Sequence, residues 1–150
     1  MTIASICRRN VVVAPMDESV VDAAKRMRML HVGTVVVTAE RDGKQVPLGI
    51  LTDRDIVLSV VSSDPEHLPF LNVGDAMSDD LVTAREDTDL ADGLQLMKEN
   101  GVRRLPVVDC DGTLVGIVTA DDMIRFLADT LGQLVDLMKH EEQVERRYRA

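Results

Sequence analysis

Gly49-Ile50-Leu51-Thr52-Asp53-Arg54-Asp55 and Gly116-Ile117-Val118-Thr119-Ala120-Asp121-Asp122 are one motif written twice, 67 positions apart. Upstream the match continues at a shift of 70: Val12, Ala14, Asp17, Asp22, Met27, Val32 and Val37 return as Val82, Ala84, Asp87, Asp92, Met97, Val102 and Val107. The chain is an internal duplication whose second copy has lost three residues from a loop. A unit that returns only once is not a solenoid, which needs about three or more stacked units. The expectation is two halves that complete one core about a pseudo-twofold axis, bringing equivalent motifs together.

Working outward, Val11-Val12-Val13-Ala14 is a β-branched run stopped by Pro15, and Val20, Ala23, Ala24, Met27 and Leu30 repeat at helical spacing. Thr34 to Thr38 and Val46 to Leu51 read as strands about an Asp42-Gly43 turn, and a second helix is expected from Asp53 to about Val61. The second half repeats this with Leu81 to Ala84, a helix from Leu90 to Asn100, Leu105 to Val108, an Asp111-Gly112 turn, Leu114 to Val118 and a helix after Thr119. Each half is thus β-α-β-β-α. The lead-in Ile3-Ala4-Ser5-Ile6-Cys7 is matched by Val73-Gly74-Asp75-Ala76-Met77, so the duplication includes it. The expected division is residues 1–62, a polar connector at 63–72, a second copy at 73–131 and a helical extension at 132–150. The last helix continues from the second copy into that extension with an apolar stripe, Met123, Phe126, Leu127, Leu131, Leu134, Val135 and Met138, across a potential break at Gly132. Contact with a second copy is one use for such a stripe, and covering its own core is another.

Composition narrows the function. In 150 residues the apolar content is 45%, nearly all aliphatic, and Phe70, Phe126 and Tyr148 are the only aromatics. A net charge of −9 opposes binding to a phosphate backbone, and the scarcity of aromatics removes base-stacking platforms, so no nucleic-acid partner is expected. Cys7 and Cys110 form no CxxC and read as free thiols of a reducing compartment. No apolar run reaches the ~18 residues of a membrane span, so the expected location is cytoplasmic. His31, His67 and His140 have no nucleophile beside them in sequence, and Arg8-Arg9 and Lys25-Arg26 read as solvated surface.

The duplicated Thr-x-x-Asp admits two readings. One is a capping box, the threonine hydroxyl accepting a backbone N–H while the carboxylate three residues on reaches back. The other is a ligand site, in which the carboxylate accepts ribose hydroxyls and the threonine with its neighbouring N–H groups meets a phosphate. Gly49 and Gly116, three residues before each threonine, imply a close approach to the strand, because glycine otherwise weakens a strand.

From about Ile3 to Leu131 the chain resembles a tandem pair of cystathionine-beta-synthase (CBS) domains, the arrangement called a Bateman module. The paired lead-ins, Gly101-Val102-Arg103-Arg104-Leu105-Pro106-Val107-Val108-Asp109 and the two Gly-Ile-x-Thr-x-x-Asp segments carry the resemblance. It implies an α/β (α+β) fold, two repeats packed through their sheets with clefts between them, an extended C-terminal helix, and adenosyl ligands such as AMP, ADP, ATP or S-adenosylmethionine. Asp55 and Asp122 become candidates for ribose hydroxyls, and Thr52 and Thr119 for ribose or phosphate. Adenine is assigned to Val13-Ala14 and Thr83-Ala84 with Val36 or Pro106, and phosphate to Arg104, Arg103 and Arg54. The copies differ: Gly33-Thr34 stands where the second has Arg103-Arg104, and Arg54 where the second has Asp121. Unequal phosphate preference follows. The expected function is a regulatory, non-catalytic module, homodimeric and acting through an effector protein; the alternative is a dimerisation scaffold whose Thr-x-x-Asp segments only cap helices.

Overall fold

The computed structural model describes residues 1–149; residue 150, the end of the expected extension, lies outside the described residues. Each copy builds a three-stranded sheet and two principal helices. In the first, β1 (Val13–Ala14) runs parallel to β2 (Thr34–Arg41), which pairs antiparallel with β3 (Lys44–Thr52). Helix α1 (Val20–Leu30) connects β1 to β2, and α2 (Asp53–Asp55) continues as a π-helical segment, Ile56–Val61. A short α3 (Val73–Ala76) opens the second copy, which follows with β4 (Ala84–Arg85), α4 (Leu90–Asn100), β5 (Arg104–Val108), β6 (Leu114–Thr119) and α5 (Ala120–Arg149). Its sheet has the same order, β4-β5-β6, and β3 packs against β6 across the pseudo-twofold axis.

Local chemistry sets the boundaries. Ser19 accepts the Asp22 N–H to start α1, and Asp89 accepts that of Ala91 to start α4. Both helices stop at a left-handed residue, Gly101 after α4 and His31 after α1. The β2–β3 turn uses positive φ at both Asp42 and Gly43, whose twist suits a two-residue hairpin. The pairing strands are two to three residues longer here than the valine runs suggested, because Glu40-Arg41 and Lys44-Gln45 extend the ladder beyond the apolar pattern. Helix α5 runs through Gly132 without interruption; one glycine in a helix interior costs only about 1 kcal/mol.

The cores are interlocked. The first gathers Ala14, Val20, Ala23, Met27, Val35, Val37, Leu51 and Ile56, together with Val73 from the lead-in of the second copy. The second gathers Ala84, Met97, Leu105, Val107, Val118 and Met123, together with Ile3 from the lead-in of the first. Each lead-in then adds an antiparallel bridge to the far sheet: Ser78 exchanges backbone hydrogen bonds with Ile50 (2.9 and 3.1 Å), and Arg8 with Ile117 (2.9 and 3.0 Å).

This exchange accounts for the two strand glycines. A Cβ on Gly49 would stand 2.6 Å from both Met77 Sδ and the Ser78 carbonyl oxygen, and one on Gly116 2.9 Å from Cys7 Sγ and 3.0 Å from the Arg8 carbonyl oxygen. The close approach expected from the sequence is real, and the approaching group is the protein's own lead-in backbone rather than a ligand.

Candidate functional site

Where β5 begins and β6 ends beside the first copy's β1–α1–β2 region, the two repeats enclose a cleft of about 230 Å³. Its aliphatic wall comes from the first copy, with Val12, Val32, Thr34 and Val36. The opposite wall is Arg104, Ile117, Thr119 and Asp121 of the second, and the lead-in contributes Arg8, Asn10 and Val11. Arg104 and Thr119 are register partners on β5 and β6, which is why they face the cleft together. The buried Thr34 Oγ1 on the first wall has no hydrogen-bond partner among the described residues.

Of the residues expected to meet a ligand, the structure brings Val36, Arg104 and Thr119 to this cleft. Thr52, Arg54 and Pro106 hold the positions equivalent to Thr119, Asp121 and Val36 in the other copy. Ala14 and Ala84 belong to the two cores, and Val13 and Thr83, half-buried beside them, do not line the cleft. Pro106 is fully buried. Arg103 is exposed and lies 3.5 Å from Asp121, and Arg54 is exposed.

Both Thr-x-x-Asp segments form capping boxes. Asp55 Oδ2 accepts the Thr52 N–H at 2.9 Å and its hydroxyl at 2.7 Å, while the Asp55 N–H donates to Thr52 Oγ1. Asp122 Oδ2 accepts the same pair from Thr119 at 3.0 and 2.7 Å. The copies then diverge: Arg8 donates Nε and Nη2 to Asp122 Oδ1 at 2.9 and 2.6 Å, whereas Asp55 Oδ1 accepts from no described residue. The Asp122 side chain is 7% exposed and that of Arg8 55%. Burial pushes the Asp122 carboxyl up, but hydrogen bonds from Thr119 and Arg8 more than offset it, and the group lies below the ordinary carboxylate value.

Arg8 and Arg9 are exposed, as expected, and Arg8 in addition carries the contact with Asp122. Arg9 approaches Glu86 at 3.6 Å and donates to the Val115 carbonyl. Arg26 departs from the expectation of solvated surface: it is half-buried, donates to the Val13 carbonyl and pairs with Glu18. The signal for Arg8 lay in the lead-in alignment, which sets Arg8-Arg9-Asn10 against Ser78-Asp79-Asp80. Those triplets border equivalent recesses, one with Val11, Val12, Leu30 and Val32, the other with Leu81, Val82, Asn100 and Val102. One mouth is basic and the other acidic. Of the histidines, His31 lines the cleft from its left-handed cap, His67 pairs with Asp64 at 2.6 Å, and His140 lies inside α5 rather than at its end. Among the described residues no group of three or more His, Cys, Asp or Glu is placed to hold a metal, and no helix is long and apolar enough to cross a membrane.

Two β-α-β-β-α repeats packed through their sheets, with exchanged lead-ins and a cleft at the seam, define a tandem-repeat α/β fold. The chain belongs to the CBS domain family, whose sequence model matches residues 3–62 and 73–129. An uncharacterised protein of Methanopyrus kandleri is 34% identical over 149 residues, covering 96% of this chain and 72% of its own length. The solved CBS-domain-containing protein from Agrobacterium tumefaciens is 27% identical, covers 83% of this chain and 98% of its own, and has a TM-score of 0.72. A CBS domain pair solved with 5′-methylthioadenosine and S-adenosyl-L-methionine covers 87% of this chain and 98% of its own at a TM-score of 0.74; at 22% identity the likeness is one of fold.

Proposed function

We propose that the chain is a regulatory module that binds adenosyl ligands between its repeats and passes the bound state to a partner protein. The observation that carries this is the cleft itself: an aliphatic slot from Val12, Val32 and Val36 suited to a flat heterocycle, closed by a few convergent polar groups, Arg8, Arg104 and Thr119. Thr34 Oγ1 adds a buried hydroxyl whose unmet hydrogen bond a ligand can satisfy. The pair solved with two adenosyl ligands supplies the chemical class to test. Asp55 and Asp122 are assigned to ribose hydroxyls, Thr52 and Thr119 to ribose or phosphate, and Arg104 to phosphate.

The test is a melting-temperature series with AMP, ADP, ATP and S-adenosylmethionine. A ligand at 100 times its Kd stabilises by about 2.7 kcal/mol, which raises Tm by roughly 5–10 °C for a chain of this size. Replacing Asp55 or Asp122 by Asn is expected to weaken calorimetric binding of the same ligand. Absence of any shift with all four at millimolar concentration overturns the reading.

A dimerisation role has its own observation. Ile124, Leu127, Leu131, Leu134 and Met138 are exposed along α5 at alternating spacings of three and four, the pattern of a helix seam that faces another helix. Val57, the first-copy counterpart of Ile124 on the π-helical segment, is exposed as well. A second copy of the chain is the partner this surface fits.

A further inference from the structure

We infer that Arg8 is a charge-selective latch over Asp122, whose capping partner Thr119 lines the cleft, released by an adenosyl ligand that carries phosphate and held against one that does not. The inference rests on the adenosyl reading above and adds to it the residue that sets the ligand's charge.

The argument starts from the unequal carboxylates. The cap is present in both copies, with Oδ2 of Asp55 and of Asp122 each taking two hydrogen bonds from its threonine. Only Asp122 has its second oxygen filled, and the guanidinium that fills it comes from the lead-in. Ser78 holds the equivalent place beside Asp55, fixed by the same kind of antiparallel bridge, and its side chain is too short for that contact. A ribose diol therefore finds an open oxygen on Asp55, whereas on Asp122 it competes with Arg8 for Oδ1.

Arg8 is free to give way. Its backbone is pinned to Ile117, but its side chain is 55% exposed and lines the cleft on the same side as Arg104. A guanidinium turned away from a carboxylate loses a charge-assisted pair and needs another anion. The neighbouring carboxylates are engaged, Asp121 beside Arg103 and Glu86 beside Arg9. A phosphate entering with the ligand is the anion that completes the exchange: Asp122 passes from Arg8 to the ribose hydroxyls, and Arg8 passes from Asp122 to the phosphate. A neutral nucleoside breaks the first pair without forming the second. A cationic adenosyl group in addition meets Arg8 and Arg104.

The experiment is calorimetric titration of AMP and adenosine into three proteins, all carrying Asp55→Asn so that only the second copy retains its Thr-x-x-Asp carboxylate. They bear Arg8, Arg8→Gln or Arg8→Lys, with folding checked by circular-dichroism melting. With Arg8, AMP is expected to bind at least about tenfold more tightly than adenosine, the size of one charge-assisted hydrogen-bonded pair. Arg8→Gln should bind adenosine more tightly than its parent and reduce the AMP preference to about threefold or less, with Arg8→Lys between them. An AMP-to-adenosine ratio unchanged by Arg8→Gln overturns the latch and leaves the adenosyl reading standing. Failure of both ligands to bind any of the three, and also the wild-type chain, removes the adenosyl reading and the latch together.

Discussion

Asp122 contributes to this fold beyond the capping of a helix. From sequence, Thr119 and Asp122 offered a choice between cap and ligand site; the structure makes them a cap and adds Arg8, 114 residues away in the chain. No local pattern announces a contact of that separation, although the threonine–aspartate geometry is legible from spacing alone. The pH dependence follows from the lowered carboxyl. Its folded value lies below its unfolded one, so its contribution is fully present above the unfolded value of about 4 and is lost as pH falls through the folded value. Asp122→Asn is expected to destabilise by about 2 kcal/mol at pH 7, the size of hydrogen bonds to a charged group, and by less at an acid pH below the unfolded value, where the carboxylate begins to take up its proton. Urea unfolding at the two pH values checks this, and an equal loss at both would sever the effect from the charge.

Among the elements, helices α1 and α4 were readable to the residue because capping groups and apolar period agree at both ends. The short β1 and β4 were overestimated: each has only two strand residues, Val13–Ala14 and Ala84–Arg85, and ahead of β1 the contact with β2 is a single bond, from the Val36 N–H to the Val12 carbonyl at 2.9 Å. Helix α5 departs furthest from its first-copy counterpart, extending 30 residues where α2 gives way to a π-helical segment. Its exposed seam puts Leu131 at the middle of five apolar positions. Leu131→Glu is expected to raise the dimer dissociation constant at least about tenfold, because it sets two carboxylates into the centre of a paired seam. Sedimentation equilibrium of both proteins reads this directly, and a wild-type chain that remains monomeric at high concentration would leave the seam without the partner assigned to it.

Over the whole molecule, the duplication and the repeat order were plain in the sequence, while the exchange of lead-ins was not. Ile3 and Val73 are aligned by the repeat, yet each lies in the core of the other half. An alignment records equivalence and carries no information about which half receives the equivalent segment. The interlock predicts a single cooperative unfolding transition in urea, with neither half persisting after the other is lost. Ile3→Ala should lower stability by about 2–4 kcal/mol through the cavity it leaves between α4 and α5, without splitting that transition. Two resolved transitions, in the wild type or the variant, would contradict the interlock.

The same exchange imposes an order on synthesis. Met123, which completes the socket of Ile3, leaves the ribosome 120 residues after it. At about 5–20 residues per second that is roughly 6 to 24 s, during which the leading segment must stay unclaimed by the repeat immediately behind it. The first repeat also waits, for Val73, before its own core can close. Translation must therefore pass well beyond the first repeat before either half acquires its final protection from proteolysis.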